Sequence, residues 1–152
     1  MTTTETVDRT PSGLELLRSW QERGPSSVGV MRLLGARMQT AEHGRVVFAA
    51  ETCPDFGNPM GTLHGGIAAT MLDSAMGCAV LSALGPGVGY TTIDLAVKYL
   101  RPVPLDGTTL WADGRTVHVG GRMATATGRL TDRAGRLIAT ATTTCLVFEE
   151  AA

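Results

Sequence analysis

Between Asn58 and Leu84 the chain reads NPMGTLHGGIAATMLDSAMGCAVLSAL, and this stretch limits the possible fold more than any other. Asn58-Pro59 favours a turn, and Gly61, Gly65 and Gly66 open backbone angles closed to other residues. From Gly66 onward almost every residue is Ala, Met, Leu, Ile, Val or small, with no proline until Pro86. A run that is apolar all round and far too long for a strand predicts a buried helix, ending near Gly85-Pro86-Gly87. Such a helix has to be wrapped by other elements. One charge interrupts it, Asp73. A carboxylate in that setting is costly to bury unless it is paired or used, so Asp73 is the first candidate functional residue.

The flanking sequence supplies the wrapping. Residues 1–11 are polar and read as a disordered tail, leaving 12–150 as one domain. Ser12-Gly13-Leu14-Glu15 fits a capping box, and Leu14, Leu17 and Trp20 form the apolar stripe of a short helix stopped by Gly24-Pro25. Val28 to Leu34 is apolar and irregular. Two strand-like runs follow, Ala36–Thr40 and Arg45–Glu51, joined by a turn at Glu42-His43-Gly44. After the central helix the pattern is β throughout: Gly89–Leu100, Thr108–Val119, Arg122–Thr131 and Arg136–Phe148. Gly120-Gly121 and Asp132-Arg133-Ala134-Gly135 are hairpin turns between the last three runs. With no βαβ alternation, the class is α+β with a mainly antiparallel sheet of five or six strands, the last four read as a meander.

Composition narrows the function. A formal net charge of −1 predicts no general attraction to nucleic acid or to an anionic membrane. The three cysteines, Cys53, Cys78 and Cys145, have no metal-type spacing and suit a reduced, cytoplasmic protein. The first residues lack the basic and apolar regions of a secretory signal. Few charges and abundant glycine suggest a surface partly covered in an oligomer.

The run Asn58-x-x-Gly61-x-x-His64-Gly65-Gly66, with Asp73 eight positions after Gly65, resembles the hotdog-fold acyl-CoA thioesterases, in particular the PaaI-like group. Tyr90-Thr91-Thr92-Ile93-Asp94, Tyr99-Leu100-Arg101-Pro102 and the Val119-Gly120-Gly121-Arg122 hairpin are similar to the same group, so the likeness covers residues 28–148. The resemblance implies a curved antiparallel sheet around the central helix, a homodimer commonly paired into a homotetramer, and hydrolysis of an acyl-CoA without a metal or other cofactor. It implies that Asp73 acts as nucleophile or as general base, that the Gly65 N–H polarises the thioester carbonyl, and that Asn58 positions substrate or water. A hydroxyl from Thr92, or from the neighbouring Thr91, would assist the carboxylate.

The physical chemistry agrees with such roles. Thioester hydrolysis needs an oxyanion stabiliser and an activated water or nucleophile. A helix N-terminus offers unpaired N–H groups and the positive end of its dipole. Asp73 lies eight residues beyond Gly65, about 12 Å along a helix. One carbonyl group cannot touch both groups of a single chain, so the spacing predicts a site shared between two subunits of a C2 dimer. His64 could shape the loop, cap the helix or touch the thioester. Met71, Leu72 and Met76 fit the core better than an acyl pocket. Gly66, Arg101, Gly120, Gly121 and Arg122 are candidates for holding substrate, the arginines and the hairpin N–H groups for the phosphates of coenzyme A, with Lys98 and Arg129 behind them.

Other chemistries fare worse. Cys78 has no evident base beside it, and Ser74 lacks a G-x-S-x-G elbow. His43, His64 and His118 are not spaced as metal ligands. The rival functions are a non-catalytic acyl-CoA-binding module on the same fold and a hydratase acting on an enoyl-CoA.

Overall fold

A computed structural model describes residues 10–24 and 29–149. Most of the expected N-terminal tail therefore lies outside the described residues. The elements are α1 (Gly13–Glu22), α2 (Gly29–Leu33), β1 (Arg37–Glu42), β2 (Arg45–Glu51), α3 (Gly65–Leu81), β3 (Val88–Tyr99), β4 (Thr109–Val119), β5 (Met123–Asp132) and β6 (Leu137–Glu149), with a 3-10 turn at Pro54–Phe56. All six strands form one antiparallel sheet in the order β1-β2-β4-β5-β6-β3. The sheet curves around α3, which packs against every strand from β2 to β6. This is the hotdog arrangement, α+β, as expected.

The sheet order corrects one expectation. Only β4, β5 and β6 form a meander; β3 lies at the far edge, paired with β6 rather than β4. The reason is the connection from Leu100 to Thr108, which carries Pro102, Pro104 and Gly107 and is far too long for a hairpin turn. It crosses the end of the sheet instead, where the Val103 carbonyl accepts the Leu63 N–H and the Thr108 carbonyl accepts the Thr52 N–H, both at 2.9 Å. Two smaller differences concern helices. The apolar Val28–Leu34 stretch, expected to be irregular, contains α2. The central helix stops at Leu81, short of Gly85. Buried Ser82 ends it by donating to the Ala79 carbonyl at 2.6 Å while accepting the Gly44 N–H at 2.7 Å.

The capping box on α1 forms as the sequence predicts: the Ser12 N–H donates to the Glu15 carboxylate at 2.7 Å and the Glu15 N–H to the Ser12 hydroxyl at 3.3 Å. Leu17 is fully buried, so α1 docks its stripe on β1 and α3.

Ala68, Met71, Leu72, Ala75, Met76, Ala79 and Val80 bury α3 in the core. Glycines set how close the sheet comes. Gly114 of β4 and Gly128 of β5 are cross-strand partners beneath the middle of α3. A Cβ at Gly114 would overlap the Ala75 backbone, and one at Gly128 would crowd Leu72 and Met76 at 3.0–3.1 Å. Two missing side chains thus let a helix and a sheet meet backbone to backbone, one turn from Asp73.

Candidate active site

Asp73 is half-buried on α3, and its carboxylate accepts the Thr92 hydroxyl at 2.9 Å. A β-bulge between Thr92 and Asp94 turns Thr92 towards the helix, whereas Thr91 is exposed on the other side of the strand. Of the two threonines, Thr92 is therefore the partner. The carboxylate opens on a cavity of about 270 Å³ whose walls include Trp20, Met31, Met38, Phe48, Cys78 and Tyr90. The wall is mostly apolar, with Ser74 as a further polar member.

Burial, reinforced by the negative Asp73, pushes the Cys78 thiol up to about 12. Cys78 stays protonated at neutral pH and offers no thiolate nucleophile. Burial likewise drives the Tyr90 phenol upward, with lesser effects from Cys78, Cys145 and Asp73, so the Tyr90 hydroxyl beside Gly77 stays neutral.

The other group of expected residues gathers where α3 begins. His64 is the N-cap, and its Nδ1 accepts the Gly66 N–H at 2.9 Å. Accepting there uses the lone pair on Nδ1. The Gly66 N–H is thereby occupied. Among the described residues nothing accepts the Gly65 N–H, which remains an unpaired donor at the positive end of the helix. The Asn58 side chain folds the preceding loop on itself. Its Oδ1 accepts the Met60 N–H at 2.9 Å and the Thr62 N–H at 3.2 Å, and its Nδ2 donates to Thr62 Oγ1 at 3.1 Å. This is an Asx turn that presents His64 and Gly65 to the helix start.

One chain therefore holds the two groups of expected residues apart. Gly65 and Asp73 belong to the same unbroken helix, about 12 Å apart along its axis. The remaining candidates are also divided. Arg101 donates to the Leu137 carbonyl at 2.7 Å, at the start of β6, while the Arg122 carbonyl accepts the Val147 N–H at 2.8 Å, near its end. Ten residues of strand separate those anchors, about 33 Å. At the hairpin tip the Gly120 N–H is committed to the Met123 carbonyl at 2.8 Å, leaving Gly121 and the exposed Arg122 guanidinium as the groups that face solvent. A larger hollow of about 560 Å³, near Arg37, Thr52 and Trp111, includes none of the expected site residues.

Sequence reasoning overlooked Tyr99 as a site residue. Its hydroxyl donates to the Gly65 carbonyl at 2.8 Å, a contact spanning 34 positions of chain that no local pattern could reveal.

A six-stranded antiparallel sheet wrapped on one central helix defines a hotdog protein. Residues 60–139, just over half of the chain, match the model of the thioesterase superfamily, and the chain belongs to that family. A Halobacterium salinarum protein bearing an esterase name is 42% identical over 79 residues, 49% of this chain and 52% of that one, so the match spans about half the length of this curated relative. The PaaI protein of the E. coli phenylacetic acid degradation operon shares the fold, with a TM-score of 0.79 at 17% identity over 91% of this chain and 94% of its own. The Streptococcus mutans protein smu.793, whose structure holds acetyl-CoA, is 30% identical with a TM-score of 0.69, covering 76% of this chain and 90% of its own. Among the described residues no helix is long and apolar enough to cross a membrane.

Proposed function

We propose that the chain is an acyl-CoA thioesterase that hydrolyses an aromatic or short- to medium-chain acyl-CoA to the free acid and coenzyme A. The observation that carries this reading is Asp73, held by Thr92 at the edge of an apolar cavity of about 270 Å³, room for an acyl group of that size. Acetyl-CoA on the Streptococcus mutans relative supports a CoA thioester as the ligand class.

Thr92 donates to one carboxylate oxygen and leaves the other for chemistry. As general base, Asp73 takes a proton from water while the water oxygen bonds to the thioester carbon. As nucleophile, it forms an anhydride that water then opens. In both routes the carbonyl electrons move onto oxygen, the carbon–sulfur bond breaks, and the leaving thiolate is protonated. No cofactor is required. The Gly65 N–H faces the developing oxyanion, where one well-placed donor is worth about 10²- to 10³-fold in rate.

Because one chain separates Gly65 from Asp73, the reacting carbonyl lies between Gly65 of one subunit and Asp73 of another. The twelve-residue β3 supports such pairing, since it is an open sheet edge with Ile93, Leu95 and Tyr99 exposed. We assign a homodimer with two equivalent sites, paired further into a homotetramer. Three free thiols suit a reducing cytoplasm.

The test is free-thiol release from a panel of aromatic and aliphatic acyl-CoAs, with Asp73→Asn beside the wild type. The wild type should release CoA, and Asp73→Asn should be slower by about 10²- to 10⁴-fold while still binding substrate. Acyl-CoA that binds the wild type without any release would replace the enzyme by a binding module.

A further inference from the structure

β3 runs antiparallel to α3 and touches it at three places. The Tyr90 ring covers Gly77, the Thr92 hydroxyl meets Asp73, and the Tyr99 hydroxyl meets the Gly65 carbonyl. The third contact grips one particular peptide. Tyr99 donates to the oxygen of the Gly65–Gly66 peptide at 2.8 Å, and the N–H of that same peptide donates to His64 Nδ1 at 2.9 Å. A peptide unit is planar, so holding its oxygen and its hydrogen fixes the plane. The preceding peptide, which carries the Gly65 N–H, is held through its own oxygen: the His64 carbonyl accepts the Ile67 N–H at 3.0 Å. Only the two backbone torsions of Gly65 link these planes, and glycine restrains its torsions less than any other residue.

The ring contributes as well as the hydroxyl. A Cβ on Gly65 would lie 3.0–3.3 Å from Tyr99 ring and hydroxyl atoms, so the ring occupies the space beside this glycine. Tyr99 is itself fixed by pairing with Ala139 of β6, yet it is 54% exposed and contributes little to the core.

We infer that Tyr99 is a positioning residue: its hydroxyl, together with the His64 ring, locks the Gly65–Gly66 peptide and so aims the Gly65 N–H at the oxyanion. The inference rests on the thioesterase reading for its catalytic meaning, whereas the lock itself is a property of the protein without substrate.

Tyr99→Phe tests both, since it keeps the ring and removes only the hydroxyl. We expect kcat to fall about tenfold or more, with KM within about twofold of wild type and the thermal midpoint unchanged. In the substrate-free protein, hydrogen exchange at the Gly66 amide, which is bonded to His64, should become faster. A Tyr99→Phe enzyme with wild-type kcat, or one whose Gly66 amide exchanges as in wild type, overturns the inference. Should the wild type hydrolyse no acyl-CoA, the thioesterase reading falls, and amide exchange alone then decides whether Tyr99 holds the peptide.

Discussion

The start of α3 and its middle solve different problems with different materials. The donor at the start is backbone: an unpaired Gly65 N–H, framed by the His64 cap, the Asn58 turn and the Tyr99 hydroxyl, near the surface. The carboxylate at the middle is a side chain, half-buried, with Thr92 on one oxygen and apolar groups around it. A donor that must meet transient negative charge works best with its geometry fixed in advance. A carboxylate that must exchange a proton benefits from a dry setting and one ordering partner. Neither region contains what the other supplies, and the helix holds them apart.

That separation can be broken directly, and here the largest effect is expected. Asp73→Asn removes the carboxylate, and Gly65→Pro removes the donor N–H at the first helical position, where the added ring also displaces Tyr99 from the space beside this residue. In the proposed dimer, each variant on its own should be nearly inactive. A mixed dimer carrying one chain of each kind regains one intact site, built from Gly65 of the Asp73→Asn chain and Asp73 of the Gly65→Pro chain. About half of the wild-type turnover per dimer should return, because one of two equivalent sites is restored. Mixed dimers isolated with two affinity tags and assayed for CoA release give the answer. If they are as inactive as their parents, the two halves do not combine across subunits.

The same contrast marks what could be read from the chain. The helix, its lone acid and the glycine-rich entry are local patterns, and so are the Ser12–Glu15 box and the Asp132–Gly135 turn. Alternation located the late strands to within about a residue. It could not order them, because a strand pattern carries no information about its neighbour; only the long, proline-bearing Leu100–Thr108 connection hinted that β3 leaves for the far edge. The choice between Thr91 and Thr92 hung on a bulge, which depends on the pairing of β3 with β6. The contact of Tyr99 with Gly65 was invisible for a similar reason, since the two lie far apart in sequence. Arg101 and Arg122 looked like companions for one ligand, yet the topology sends them to opposite ends of β6.

The middle of α3 should also be the more sensitive to packing, a smaller effect than loss of a half-site. Gly114→Ala places a methyl group against the Ala75 backbone, which has no flexible side-chain end to give way. Overpacking of this kind costs about 1–3 kcal/mol, and it lifts α3 from the sheet one turn from Asp73. Chemical denaturation should reveal the lost stability, and CoA release should fall with it. A Gly114→Ala protein as stable as wild type would mean that the helix is not seated on that glycine pair, and the sensitivity assigned to the middle would go.

The smallest effect concerns how the helix start is supported. Tyr99 and Arg101 rest on the first residues of β6, and the turn leading into β6 is pinned by Asp132. Its carboxylate accepts the Arg136 Nε at 2.7 Å and the backbone N–H groups of Ala134 and Arg136 at 3.0 and 2.9 Å. Burial alone would raise the pKa of Asp132, but the Arg136 guanidinium and these N–H groups outweigh it and hold the group below its ordinary value of 3.8. A carboxyl depressed in the folded state adds stability that is fully present above the unfolded value and is lost as pH falls through the lower, folded one. The thermal midpoint of wild type should therefore exceed that of Asp132→Asn by a constant margin from neutral pH down to about 4, and the margin should shrink in more acid solution. In wild type, amide exchange around Tyr99 should quicken over that acid range before exchange in the middle of α3 does, because only the former region leans on this carboxylate. A margin independent of pH would show that Asp132 acts through shape alone, and the electrostatic difference between the two regions would disappear.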